Sequence, residues 1–278
     1  MSVVPTKKWL KEFAKQCEQQ GGRGALKLHR ELICVPLAEL FPDTPVEAYQ
    51  YELLNNGLFM PEEWETIEGK LATMESQRVW RLVESEYLKL RKKWKGPKVP
   101  IYIFPLQQSR IPSEGQLNRN GIAYKNALFL FFSPEIKKEE IIASVAHEYN
   151  HICRLHYLDR TPKEIKLRDS IIIEGMGEYA VKEICGEDWL APWVNLYTKE
   201  EALPIWKEHF IPALKRKGVK NHQLFLFGQP RTPFPRWIGY HLGYQIVDSF
   251  VKNKGPFKHG ELYTKSANEI ILGSDFAP

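Results

Sequence analysis

The 278-residue chain is 43% hydrophobic and carries 39 Lys and Arg against 34 Asp and Glu, a net charge of +5. That apolar content suffices for the core of one large domain or two modest ones, and the mild charge is far from the dense basic surface of a nucleic-acid binder. The opening "MSVVPTKKWLKEFAKQ" lacks the positive-then-apolar order of a secretory leader, and no apolar run nears the roughly 18 residues that span a bilayer, so a cytoplasmic location is expected. Cys17, Cys34, Cys153 and Cys185 form no C-x-x-C pair, which argues against a thiolate zinc site and predicts reduced, interior thiols.

From Thr6 to about Lys95 apolar residues such as Trp9, Phe13, Leu28, Leu32, Val79, Leu82 and Leu90 recur mostly at threes and fours, which predicts helices broken by turns at "GGRG" (21–24) and "FPDTP" (41–45). The basic run "KLRKKWKGPK" (89–98) closes this region and reads as a solvated helix end, where cations oppose the negative end of the dipole. Gly96-Pro97 then breaks the helix, and "VPIYIFP" (99–105) and "GIAYKNALFLFF" (121–132) read as strands joined by a polar loop. Ser133-Pro134 followed by acids predicts a helix over 134–156. A capping box of Thr161 and Glu164 opens another that ends at Cys185 before Gly186, with its start either at Thr161 or beyond a bend nearer Asp169. Helices are also expected at 198–217, 236–254 and 259–272. The chain divides, on this reading, into a helical N-terminal region, 1–97, and a second domain, 98–278.

Within the helix at 134–156 lies "HEYNH", the pattern H-E-x-x-H. Residues four apart on a helix are about 40° apart around the axis, so His147 and His151 share a face and reach one ion. Glu148 is displaced from that face enough to miss the ion and close enough to hydrogen-bond a water on it, the position of a general base. His156, nine residues past His147, lies about 180° away and is excluded, and Cys153 faces away toward the core. A catalytic zinc takes three protein ligands, so one must come from elsewhere. "IIIEGMGEYAV" (171–181) is an apolar helix carrying two acids on one face, and a buried carboxylate calls for a cation. Glu174 is the expected ligand and Glu178 the carboxylate that orients a ligand imidazole, while Gly175 and Gly177 permit close approach to the H-E-x-x-H helix. Two imidazoles and a carboxylate favour zinc, one ion per chain.

H-E-x-x-H followed by "EGMGEY" resembles the gluzincin metallopeptidases, and "HEYNH", "DSIIIEGMGEY" and "GYHLGYQIV" together resemble the YjaZ-like family of predicted zinc-dependent proteases. The resemblance, which covers roughly residues 99–273, implies a zincin-like domain with a small sheet on the H-E-x-x-H helix and a helical C-terminal part; with the helical N-terminal region read above, the expected fold is α+β and mostly helical. The resemblance also implies Glu174 as third ligand and a peptide or protein as substrate, while the mild charge points to no nucleic-acid partner. In such a reaction Glu148 is the general base, and a further group must stabilise the oxyanion. In "PRWIGYHLGYQIVDSF" (235–250) Tyr240 is the foremost candidate, with Tyr244, Arg236 and His241 as further substrate or transition-state contacts. The strand around 123–131 is expected to pair with an extended peptide if it lies at the sheet edge, although "ALFLFF" points to burial of its second half. The alternative function is a metal-stabilised binding protein with little hydrolytic activity.

Overall fold

Helical periodicity in the N-terminal region is realised as α1 (Thr6–Gln19), α2 (Ala25–His29), α3 (Val46–Asn55), α4 (Trp64–Ser76) and α5 (Val79–Trp94) in a computed structural model that describes residues 1–108, 118–258 and 260–278. In α1, Leu10, Phe13, Ala14 and Cys17 fall at i, i+3, i+4 and i+7, and all four are buried. The turns at 21–24 and 41–45 lie where the composition places them. The chain groups into two units, residues 1–91 with 98–148, and residues 92–97 with 149–278.

In the first unit β1 (Ile101–Pro105) follows the break at Gly96-Pro97. The single strand expected over 121–132 is instead a hairpin, β2 (Arg119–Tyr124) and β3 (Ala127–Phe132), turned by Lys125-Asn126. Two polar residues between two apolar runs have the spacing of a two-residue hairpin loop. β3 lies between the others, parallel to β1 with Ile101 opposite Leu128, and antiparallel to β2 with Gly121 opposite Leu130. A central strand is covered on both sides, which is why "ALFLFF" is apolar without alternation. The outer edge of β1 is covered by the N-terminal segment, where the Val4 N–H donates to the Ile101 carbonyl at 2.9 Å and the Ile101 N–H to that of Ser2 at 2.9 Å. Among the described residues no strand covers the outer edge of β2. Of the polar segment between β1 and β2, residues 109–117 lie outside the described residues.

Helix α6 (Lys138–Leu158) starts four residues later than the sequence predicts, because Glu140 accepts the Lys137 N–H at 2.9 Å while the Ser133 hydroxyl turns to Glu135. It is continuous through Glu148, the last residue of the first unit, into Tyr149 in the second. Against its first half lies the sheet, with the Arg119 guanidinium donating to the Glu140 carbonyl at 2.9 Å.

In the second unit α7 (Leu167–Cys185) takes the later of its two candidate starts. Thr161 and Glu164 close a turn of their own, and the Asp169 carboxylate accepts the Lys166 N–H at 3.3 Å. Gly186, at φ 90°, ends the helix as expected. The segment expected as one helix at 198–217 is α8 (Lys199–Ile205) followed by π and 3-10 turns to Ala213, since Pro204 and Pro212 each remove a backbone donor. After α9 (Gln223–Phe227) comes α10 (Ile238–Lys254). The last expected helix is split into α11 (Glu261–Thr264) and a Ser266-capped α12 (Ala267–Gly273), and His259 lies outside the described residues. No described helix is long and apolar enough to cross a membrane.

α7 and α10 cross at contact distance through glycines. A Cβ on Gly175 would stand 2.1 Å from the Gly243 carbonyl oxygen, and one on Gly243 only 2.4 Å from that of Ile171. The close approach expected of Gly175 is thus made to α10. Backbone cannot yield as a side chain tip does, so Gly243→Ala should destabilise the protein by about 1–3 kcal/mol or more, measured by urea unfolding. A second expectation concerns His29, fully buried against Phe13 and Phe59, where burial pushes its imidazole down to about 4. A folded pKa below the unfolded value means that stability is fully present above about pH 6.5 and is lost as pH falls toward 4. His29→Gln should reduce the slope of stability against pH in that window by up to about 1.4 kcal/mol per pH unit.

Candidate metal centre

His147, Glu148 and His151 all lie within the unbroken α6, so the four-residue step puts both imidazoles on one face. Glu174 comes from the second turn of α7. One ligand atom each from His147, His151 and Glu174 falls within 4.8 Å of the others. His151 Nε2 stands 3.3 Å from Glu174 Oε2. Ligand atoms about 2.1 Å from a tetrahedral zinc are about 3.4 Å apart. One pair already has that spacing, and the rest need close by no more than about 1.4 Å, within reach of side-chain rotation. Two imidazoles and a carboxylate are also the donor types of a catalytic rather than a structural zinc. The residues present therefore fit a divalent ion of this kind. His151 is buried, whereas His147, Glu148 and Glu174 are half-buried.

Glu178 shares a face of α7 with Glu174 but is 2% exposed, and its carboxylate accepts the Ala191 N–H at 2.5 Å. That bond ties the chain after α7 back to the helix. Cys153 is buried, with its thiol pushed up to about 12 by burial, and His156 is exposed, the environments that helical angle predicts for both.

The candidates from 235–250 separate. Tyr240 is half-buried, its ring among those of Trp193, Phe227 and Trp237 at 5.1 to 5.4 Å. Arg236 has an exposed side chain, and its carbonyl accepts the Tyr197 hydroxyl at 2.6 Å. His241 is buried with Nδ1 3.3 Å from the Trp193 carbonyl, and burial lowers its pKa. Tyr244 is buried near Lys182 and Asp248, and burial, reinforced by Asp248, pushes its phenol up to about 12.

One residue of the site was missed in the sequence. Gly121 on β2 lies directly against Glu148, so that a Cβ there would stand 2.6 Å from the Glu148 carboxylate carbon and Oε1. Its signal was available, since a glycine inside a strand marks a place where another group approaches the backbone closely.

A family model described as predicted Zn-dependent protease (DUF2268) matches residues 79–272. The uncharacterized protein YjaZ of Bacillus subtilis is 35% identical over 173 residues, 60% of this chain and 64% of that protein. A second uncharacterized protein of that organism, YjfC, is 29% identical over 115 residues, 38% of each chain. The chain thus spans less than two thirds of the length of either relative. No solved structure matches it.

Titrating the metal-free protein with zinc should reveal one site, lost or weakened in Glu174→Ala by more than the tenfold to hundredfold, roughly, that a supporting residue is worth. Calorimetry on the two proteins checks this.

Proposed function

The chain belongs to the family of predicted Zn-dependent proteases, and from that premise we propose that it is a cytoplasmic zinc-dependent peptidase in which His147, His151 and Glu174 hold one ion. The observation that carries the reading is the position of Glu148, half-buried on the same helix as the two histidines and outside the three-residue cluster. A structural ion gains nothing from an acid placed beside its ligands, whereas hydrolysis requires one.

Held by His147, His151 and Glu174, zinc would supply Lewis acidity to a peptide carbonyl and lower the pKa of a water to about 7. Glu148 would accept a proton from the attacking water and return it to the leaving amine. Of the stretch 123–131 expected from sequence, β2 rather than the apolar second half fits the role of substrate strand, because β3 is central and among the described residues no strand pairs with the outer edge of β2. An extended peptide paired along that edge would run past Gly121, and therefore past Glu148. The glycine lets backbone and carboxylate approach without a side chain between them. Of the four C-terminal candidates, Tyr240 takes the oxyanion role in this reading, as a half-buried phenol, while His241 and Tyr244 are buried. Glu178, held by the Ala191 amide, steadies α7 and with it Glu174.

Glu148→Gln should retain stoichiometric zinc and lose about 10²- to 10⁴-fold in peptide hydrolysis. Tyr240→Phe should lower kcat by up to about 10²- to 10³-fold with little change in KM. Metal analysis and a peptide-library assay on the same preparations read both. Wild-type protein that carries zinc yet cleaves nothing in a broad library would instead support a metal-stabilised binding protein.

A further inference from the structure

Three residues beyond His151, α6 carries an arginine in an unusual setting. Arg154 is fully buried, and only one arm of its guanidinium is engaged, Nη1 donating to the Tyr263 carbonyl at 3.0 Å and to the Lys265 carbonyl at 2.8 Å. Neither Nε nor Nη2 finds an acceptor among the described residues. These two N–H groups lie on the same edge of the planar guanidinium, the edge that takes a carboxylate or a halide side-on. One turn back on the same helix, Asn150 is also fully buried, its Nδ2 donating to the Leu262 carbonyl at 3.5 Å and its Oδ1 meeting no donor.

Burying a guanidinium without a counter-charge is among the costliest arrangements a fold can contain. The carboxylate whose field reaches Arg154 is Asp169, but its Oδ2 is bonded to Arg160 Nη1 at 3.0 Å and to the Lys166 N–H at 3.3 Å. Carbonyl dipoles from Tyr263 and Lys265 satisfy donors without cancelling charge. A water on the Nε and Nη2 edge would do the same.

We infer that this edge of Arg154 is a binding site for a small monovalent anion of halide size, enclosed between α6 and the segment 262–265. The inference is independent of the metal reading. An anion there neutralises the buried charge and completes the guanidinium's bonding, and a water beside it supplies the donor that Asn150 Oδ1 requires. Enclosure limits the occupant to an ion of one or a few atoms. Asn150 and Arg154 are also the side chains that bond α6 to the carbonyls of Leu262, Tyr263 and Lys265, so the ion fastens that joint.

The test compares thermal unfolding in sodium chloride and in sodium gluconate at equal ionic strength, for wild type and for Arg154→Met, with crystals of wild type grown in bromide. The expected result is a midpoint that rises by roughly 3–6 °C for each tenfold increase in chloride above its dissociation constant, in wild type only. An anomalous bromide peak within hydrogen-bonding distance of Nε and Nη2 is expected alongside it. Equal midpoints in chloride and gluconate, or a water or protein acceptor on that edge in the bromide crystals, would overturn the inference. If Arg154→Met does not fold, the wild-type titration and the bromide map decide between these outcomes by themselves.

Discussion

Helix α7 is enclosed on almost every side along its middle, and that middle carries two carboxylates, Glu174 and Glu178. Much of the second unit is arranged around that conflict. On one face the helix meets α10 at glycine-to-carbonyl distance, which removes solvent and leaves no room for a side chain. The acids must then find partners in what remains. Glu174 meets His151 at 3.3 Å, and Glu178 meets the Ala191 amide at 2.5 Å. A neutral residue at either position would ask nothing of its neighbours. The carboxylates dictate them, one requiring a cation or a donor imidazole, the other a backbone N–H.

Helix α6 solves a complementary problem by angle. His147 and His151 form one stripe, and Asn150 and Arg154 form a second about 60° away around the axis. The first stripe belongs to the metal cluster, and the second binds carbonyls of the segment 262–265. Cys153 faces the interior and His156 faces water. A single helix thus positions two candidate ligands and anchors itself, with no residue serving both purposes. Such a division matters for a metal site, because imidazoles held on a fixed backbone lose less freedom on binding an ion than ligands gathered from loops.

Much of this was legible in the sequence because it depends on spacing along one element. The i, i+4 step of the histidines, the exclusion of His156 and the pairing of Glu174 with Glu178 follow from helical geometry, and α6 and α7 are helical where it matters. The small sheet and the helical N-terminal region were legible from composition. What was not legible depends on partners remote in sequence. Lys125-Asn126 looked like a polar interruption of one strand rather than a hairpin turn, because only the presence of β1 on the far side of β3 makes "ALFLFF" central. Thr161 and Glu164 have the residues of a helix start, yet Asp169 offers the same bond one turn nearer the apolar run, and packing selects it. The phenols and imidazole of 235–250 share a helix, but Tyr244 and His241 turn to Lys182, Asp248 and the Trp193 carbonyl, none of which their own segment reveals.

Gly121 shows how the two kinds of information combine. Its place in a strand was readable, but its neighbour was not, since Glu148 lies 27 residues further along the chain. Glu148 and Glu178 are the same residue type, and in the peptidase reading they do different work because of what surrounds them. Glu178 is sealed from water and bonded to a backbone amide, which suits it to a supporting part. Glu148 is half-buried beside a strand that has no side chain at the point of contact. In the peptidase reading, enclosure suits a carboxylate to support and partial exposure suits it to proton transfer. An alanine at 121 would narrow that difference, because its methyl group would occupy the space in which the Glu148 carboxylate now sits.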